Sequence, residues 1–368
     1  MRLRKLIGPL LALVLAAGVG GGIYVSAARR AAEDRTRIEA AQVVSLRGLI
    51  GSEKEGFFAD PGVIDALRRR GLVVYVEKVG SRAISLRPDL KSYDFGFPAG
   101  APAGIKLQQA VHARQTFNPF FTVMAVASWK PLVAVLEANG VVRRDAEGYY
   151  VLDMRRMLEL ADKQVRWRDL KGNSTYATSR SILITSTDVR SSNSGAMYLA
   201  LASYVANDAN IVQTDAEMRR VLPLVSQLFL RQGLQESSSA SPFEDYVTMG
   251  IGKAPLVLIY EAQFLEHLAR SKTRNPEMVL LYPRPTIYTK HTLVPFTEAG
   301  LRLGEALSAE PALQKLAAQY GLRTGDPEHF AAFLKAHDLS APAAILDVVE
   351  PPSYEVLERM IAEIERKF

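Results

Sequence analysis

The stretch VVSLRGLIGSEKEGFFADPGVIDALRRRGLVVYVEKV, residues 43–79, decides how the rest of the chain is read. Its first run, Val43 to Ile50, is rich in β-branched and apolar residues and stops at Gly51-Ser52. Asp60-Pro61 then opens a helix, because the fixed φ of proline suits the first helical position. Val63, Ile64 and Leu67 recur at helical spacing as one apolar face, and Arg68 to Arg70 close the helix before Gly71. Leu72 to Val79 alternates as a second strand. Strand, helix and strand within about 40 residues is the spacing of a parallel βαβ unit, so the class is α/β.

Working outward, a third short strand is expected over Tyr93 to Phe97, followed by a helix over residues 104–114. Residues 116–128, TFNPFFTVMAVAS, form a long β-rich run whose length suits a crossing from one compact unit into another. Met278 to Tyr282, ending in Pro283-Arg284-Pro285, reads as a second crossing. Between the two lie a helix around Asp153 to Asp162, a strand over Ser181 to Ser186, a polar loop from Thr187 to Gly195 and a helix from Ala196 to Ala206. Helices over about 214–232, a serine-rich loop at 236–242 and the strand Pro255 to Tyr260 continue the βα pattern, and Glu261 opens the next helix. From His291 onward the chain reads as mainly helical, and Val356, Leu357, Met360, Ile361 and Ile364 recur at helical spacing near its end.

With 368 residues, 48% of them hydrophobic and 23% charged, the chain has apolar material for two compact units. The net charge of +6 is spread and interleaved with acidic residues, which argues against a nucleic-acid partner. The absence of cysteine excludes disulfides, thiolate metal sites and a cysteine nucleophile. The five histidines show no paired metal spacing, and no dinucleotide or phosphate-loop fingerprint is present, so no metal and no cofactor is expected. Arg2, Arg4 and Lys5 precede an uncharged apolar run from Leu6 to Val25, long enough to span a bilayer with the N-terminus inside. Residues 1–28 are therefore expected to be a signal anchor or signal peptide, and 29–41 a polar spacer. The run exceeds the usual signal core, which favours an uncleaved anchor in the inner membrane; cleavage near Ala27 is the alternative and would release the protein to the periplasm.

Certain phrases, in their order, carry a resemblance. They are the opening strand ending at Ser52, Gly80-Ser81-Arg82 after the second strand, the crossing TFNPFFTVMAVASW, Trp167-Arg168-Asp169-Leu170, the loop Ser191-Ser192-Asn193-Ser194-Gly195, and Leu313-Gln314 with Tyr320-Gly321-Leu322-Arg323. Over residues 42–325 the chain resembles bacterial extracellular solute-binding proteins of the type II periplasmic-binding superfamily. The resemblance implies two α/β lobes joined by two crossover strands, with a ligand in the cleft between them. Lobe one would take 42–120 and 285–368, and lobe two 121–284. The chain departs from the simplest pattern in lacking a lipid-bearing cysteine, in its long anchor and in an added segment from His329 to Pro352.

Each candidate ligand residue has two readings. Ser52 either offers a hydroxyl to an anion at a helix start or caps the turn. Ser81 and Arg82 either bind an oxyanion through hydroxyl and guanidinium or decorate a surface loop. Ser191, Ser192, Asn193 and Ser194 are small polar residues before a helix, able to wrap a polar group where capping needs only one of them. Tyr260 and Glu261 end an apolar strand, so Glu261 either meets a cationic or hydroxylated ligand or caps its helix. His291 either reaches the cleft or is a structural residue, and Trp129 and Trp167 are read as core.

The function that follows is capture of a small solute by closure of two lobes on the outer side of the inner membrane, without catalysis. A membrane transporter or another envelope protein stands as the partner. The alternative is an anchored sensing or interaction module, and a hydrolase using Ser192 or Ser194 is the third reading, disfavoured because the loop lacks the G-x-S-x-G elbow.

Overall fold

The structure, a computed structural model, describes residues 43–368 apart from Leu234 and Leu346. The expected anchor, residues 6–25, and the spacer lie outside the described residues. No helix among the described residues is long and apolar enough to cross a membrane.

The opening stretch folds as its pattern requires. β1 (Val44–Ile50) and β2 (Leu72–Lys78) pair in parallel, joined by two helices, α1 (Glu55–Ala59) and α2 (Pro61–Arg69). Asp60 caps α2 by accepting from the Gly62 amide at 2.7 Å and the Val63 amide at 3.3 Å. The buried stripe of α2 is Val63, Ala66 and Leu67; Ile64, expected on that face, is 38% exposed because the apolar arc is narrower than the spacing suggests. β3 (Phe95–Phe97) joins the other side of β1, again in parallel, and α3 (Ala101–Val111) follows it.

β4 (Phe117–Trp129) ties the molecule together. Its first half, to Val123, pairs antiparallel with β9 (Tyr288–Pro295), and its second half lies between β7 (Val257–Tyr260) and β8 (Met278–Arg284). The register shifts between Phe117 and Phe120, around Pro119, which has no amide to give the ladder. With β6 (Tyr150–Asp153) beside β8 and β5 (Val142–Arg144) at the edge, the order is β2-β1-β3-β9-β4-β8-β6-β5, and β7 branches off β4. The two expected crossings are therefore neighbours that share β4.

Two cores flank this strand. The smaller gathers Phe57, Phe58, Phe95, Phe97 and Phe120 with Leu303, Leu307, Leu313 and Leu322, contributed in part by α10 (Glu298–Ala309) and α11 (Pro311–Ala318). The larger is built around β4, β7 and β8 by α4 (Lys130–Ala138), α5 (Met154–Asp162), α6 (Asn193–Ala206), α7 (Asp215–Leu230) and α8 (Ala240–Met249), and it holds both tryptophans. α9 (Glu261–Arg270) leaves β7 toward the smaller core and packs Leu265 against α12 (Pro327–Ala336). The last helix, α13 (Tyr354–Glu365), sends its apolar stripe into the larger core.

Two further expectations change. Ser181 to Ser186 is not a continuous strand: it makes isolated bridges, with Ser181 against Arg166 and Thr185 against Val257, and the Ser186 amide is taken at 2.8 Å by the Gln232 side chain instead of a neighbouring strand. His291 begins no helix; it sits fully buried in β9, and helix resumes only at Glu298 after the Thr297 cap.

Candidate functional site

Because β1 and β2 are parallel neighbours, the chain leaves them on the same edge of the sheet, and Ser52 and Ser81 emerge side by side. Facing them is the loop before α6. Arg82 N donates to the Ser191 carbonyl at 3.0 Å, and Ser52 Oγ lies 2.6 Å from Ser238 Oγ in the serine-rich loop before α8. Asn193 Nδ2 donates to the Ala99 carbonyl at 2.8 Å and to the Tyr260 hydroxyl at 3.2 Å, while Ser81 Oγ accepts from Ala99 N at 3.0 Å. These contacts bind strand ends of the smaller core to helix starts of the larger one. The space left among Ser52, Ser81, Ser192, Asn193, Ser238 and Tyr260 is about 10 Å³, room for one water molecule.

The structure thus brings together Ser52, Ser81, Ser192, Asn193 and Tyr260, and treats the remaining candidates differently. Ser192 precedes α6 without capping it; its hydroxyl lies 2.9 Å from Ser194 Oγ, which in turn lies 2.7 Å from Thr187 Oγ1. Ser191 contributes its carbonyl, and its hydroxyl has no partner among the described residues. The Arg82 guanidinium is buried and donates to Glu358 of α13 at 2.6 Å. Glu261 is fully buried and faces away from the serines: Arg323 grips it with two bonds of 2.8 and 2.9 Å, and the Tyr282 hydroxyl donates at 2.9 Å.

Two residues at the floor of the cleft, Glu53 and Lys54, escaped the residue-by-residue reading. Lys54 is fully buried, ion-paired to Glu53, and lies 4.8 Å above the Phe97 ring and 3.4 Å from His291 Nδ1. Burial outweighs the Glu53 carboxylate and holds the Lys54 ammonium below the ordinary lysine range. Burial, and then the charge of Lys54, press His291 well below the usual imidazole range, so it is neutral. Burial and the charge of Glu53 raise the Tyr260 hydroxyl. A lysine after Ser-Glu in a turn reads as solvated, and only the third dimension places it over Phe97.

Beyond Ser52 and Glu53 the cleft widens into a chamber of about 520 Å³, lined by α8 and α9. Within it burial pushes the Glu266 carboxyl up to about 7, against the pull of Arg270 Nε at 3.5 Å. A carboxyl raised from 4.5 in this way favours folding fully below about pH 4.5 and loses that contribution as the pH rises through about 7. Glu266→Gln is accordingly expected to leave the denaturation midpoint unchanged at pH 4 and to raise stability at pH 8 by on the order of 2 kcal/mol, measured by urea unfolding. Equal effects at both pH values would place the carboxyl in water.

No protein-family model matches the chain, and no curated protein matches it in sequence. Solved structures do match. The sulfate-binding protein SubI from Mycobacterium tuberculosis H37Rv superimposes with a TM-score of 0.54 at 17% identity, covering 82% of this chain and 93% of that one. The periplasmic binding protein AfuA from Actinobacillus pleuropneumoniae gives 0.54 at 10% identity, over 87% and 97% of the two chains. The ferric ion-binding protein A of Pasteurella haemolytica gives 0.53 at 10%, over 87% and 98%. At such identities the likeness is one of fold, and it places the chain on the two-lobed type II periplasmic-binding fold.

Proposed function

We propose that the chain captures a small solute, without bond chemistry, by closing two lobes about β4 and the β8–β9 connection. One lobe comprises residues 43–120 and the part of 285–368 that precedes α13; the other comprises 121–284 with α13 packed on it. The observation that carries the reading is the set of bonds by which Asn193 and Ser238 of one lobe meet Ala99 and Ser52 of the other, at the strand ends where open α/β sheets place ligands. Solute-binding proteins on the same fold support it. The apolar run Leu6 to Val25 supports a location outside the cytoplasm, tethered to the inner membrane, and a membrane transporter or another envelope protein is the partner of the same proposal.

Small molecules released from the purified full-length protein on denaturation, identified by mass spectrometry, test the proposal. Asn193→Ala removes the donor to Ala99 and leaves that carbonyl without its partner, costing on the order of 1–3 kcal/mol in the closed form, or roughly 5- to 150-fold in affinity for the released molecule. Full affinity together with a melting point several degrees lower would make Asn193 a structural cap and remove the site.

A further inference from the structure

After β4 and the β8–β9 connection, the chain passes between the two cores a third time. α12 packs Phe330 and Phe333 with Ala318 and Leu265, and the segment that follows gives the Ala341 carbonyl to the Tyr149 hydroxyl at 3.0 Å. It then pairs with the β8–β9 connection itself: the Thr286 amide donates to the Asp347 carbonyl at 3.0 Å, and the Val349 amide to the Thr286 carbonyl at 2.9 Å. Pro351 and Pro352 fix the backbone φ ahead of α13, and Ser353 caps that helix by accepting from the Val356 amide at 3.4 Å. Pinned at the connection and seated by Leu357, Met360 and Ile364 in the larger core, α13 goes with the second lobe.

From that seat α13 reaches across the seam. Glu358 Oε1 accepts from Arg82 Nη2 at 2.6 Å, and Oε2 lies 3.4 Å from Lys106 Nζ of α3, so one carboxylate meets two cations of the first lobe. Arg82 is 2% exposed, and the groups that its side chain and amide meet all belong to the opposite lobe. They are the Arg190 carbonyl, 3.3 Å from Nε, the Ser191 carbonyl, 3.0 Å from the amide, and Glu358. Nη1 is buried with no partner, and Glu358 is the one carboxylate paired with this guanidinium, among the described residues. A guanidinium buried without an anion is strongly unfavourable, whereas water solvates it when the lobes are apart. Closing therefore needs the carboxylate that α13 brings. We propose that α13 is a latch: Glu358, carried on the third connection, sets the balance between open and closed lobes by neutralising Arg82 and Lys106 as they arrive. The latch rests on the reading of the cleft as one that closes.

Hydrogen exchange of the full-length protein, followed by NMR, reads that balance even where the open form is rare. The Arg82 amide, and the Asn193 side-chain proton bonded to the Ala99 carbonyl at 2.8 Å, lie across the seam. The Asp94 amide, bonded to the Arg47 carbonyl at 2.7 Å, lies within the first lobe and serves as reference. Glu358→Gln keeps the shape of the side chain and removes its charge; it quickens exchange at Arg82 and Asn193 at least about tenfold and leaves Asp94 unchanged. Adding Arg82→Met returns Asn193 toward the parent rate, because no buried charge is left unpaired. Quickening at Arg82 alone is local loosening, and quickening at all three is loss of stability; either overturns the latch, as does a double variant no slower than the single one. Where Glu358→Gln changes nothing, Gly80→Val, whose Cβ would stand 2.7 Å from the Ser191 carbonyl oxygen, tells the latch from the closure beneath it. If Gly80→Val quickens Asn193 and spares Asp94, closure stands and the latch alone is lost. If it leaves Asn193 slow, or quickens Asn193 and Asp94 alike, the lobes do not part as bodies and closure is lost too.

Discussion

Replacing Glu261 with leucine is expected to cost about 3–5 kcal/mol of folding stability, because it strands the Arg323 guanidinium in the interior. That guanidinium is 7% exposed and lies 4.1 Å over the Phe330 ring. It keeps only the carbonyls of Pro342, at 2.7 Å, and Ala343, at 3.2 Å, once the carboxylate is gone. Tyr282 loses its acceptor as well. The double variant Glu261→Leu, Arg323→Met should recover most of the loss, since two apolar side chains need neither charge nor partner. Urea denaturation measures both. A single variant of normal stability that has lost its solute would instead put Glu261 in the binding site.

Gly80→Val is expected to weaken capture strongly while the separate lobes remain folded. A Cβ at Gly80 would stand 2.7 Å from the Ser191 carbonyl oxygen and 2.8 Å from that of Ser237, both backbone atoms of the opposite lobe that cannot swing aside. Overpacking of this kind costs on the order of 3 kcal/mol, and here the lobes escape it by staying apart, so affinity for the released solute should fall about 150-fold. Small-angle scattering would find the variant more extended than the parent protein. Unchanged affinity and an unchanged radius of gyration would mean that closure does not bring Gly80 onto Ser191.

How far these sites were legible follows from the range of the contacts that make them. The Asp60-Pro61 start, the stop at Gly71 and the alternation after it are local signals, and the βαβ unit follows from them. That Ser52 and Ser81 emerge together was legible too, because the parallel β1 and β2 release their chains at one end of the sheet; Asn193 reaches them by packing, from a segment that forms no continuous strand. Ser238, which touches Ser52, was visible only as part of a serine-rich loop; nothing in its neighbours says which strand end it faces. Glu261 and Arg323 lie 62 positions apart, and a glutamate at the end of an apolar strand has the same sequence signature whether it meets a ligand or an internal arginine. Lys54 misleads for the same reason: its burial is a property of Phe97 and His291, not of the turn that carries it. The chamber has no linear signature, since its stripe on α8 becomes a wall only when Glu53 and Glu266 arrive from elsewhere.

The double pairing of β4 also sets an order in time. Apart from Ala99 and α13, the larger core is drawn from a continuous span, Met124 to Ile287, and can condense as soon as that span has left the ribosome. The smaller core cannot, because its strands β1 to β3 are made first and β3 waits for β9, the only strand that pairs with its far side among the described residues. Until Tyr288–Pro295 is synthesised, the nascent chain carries an unpaired strand edge beside Phe95 and Phe97, the arrangement most prone to stick to another copy. The strands made first therefore wait longest for a partner, while the larger core, begun from one continuous span, is closed only by α13 at the end of the chain.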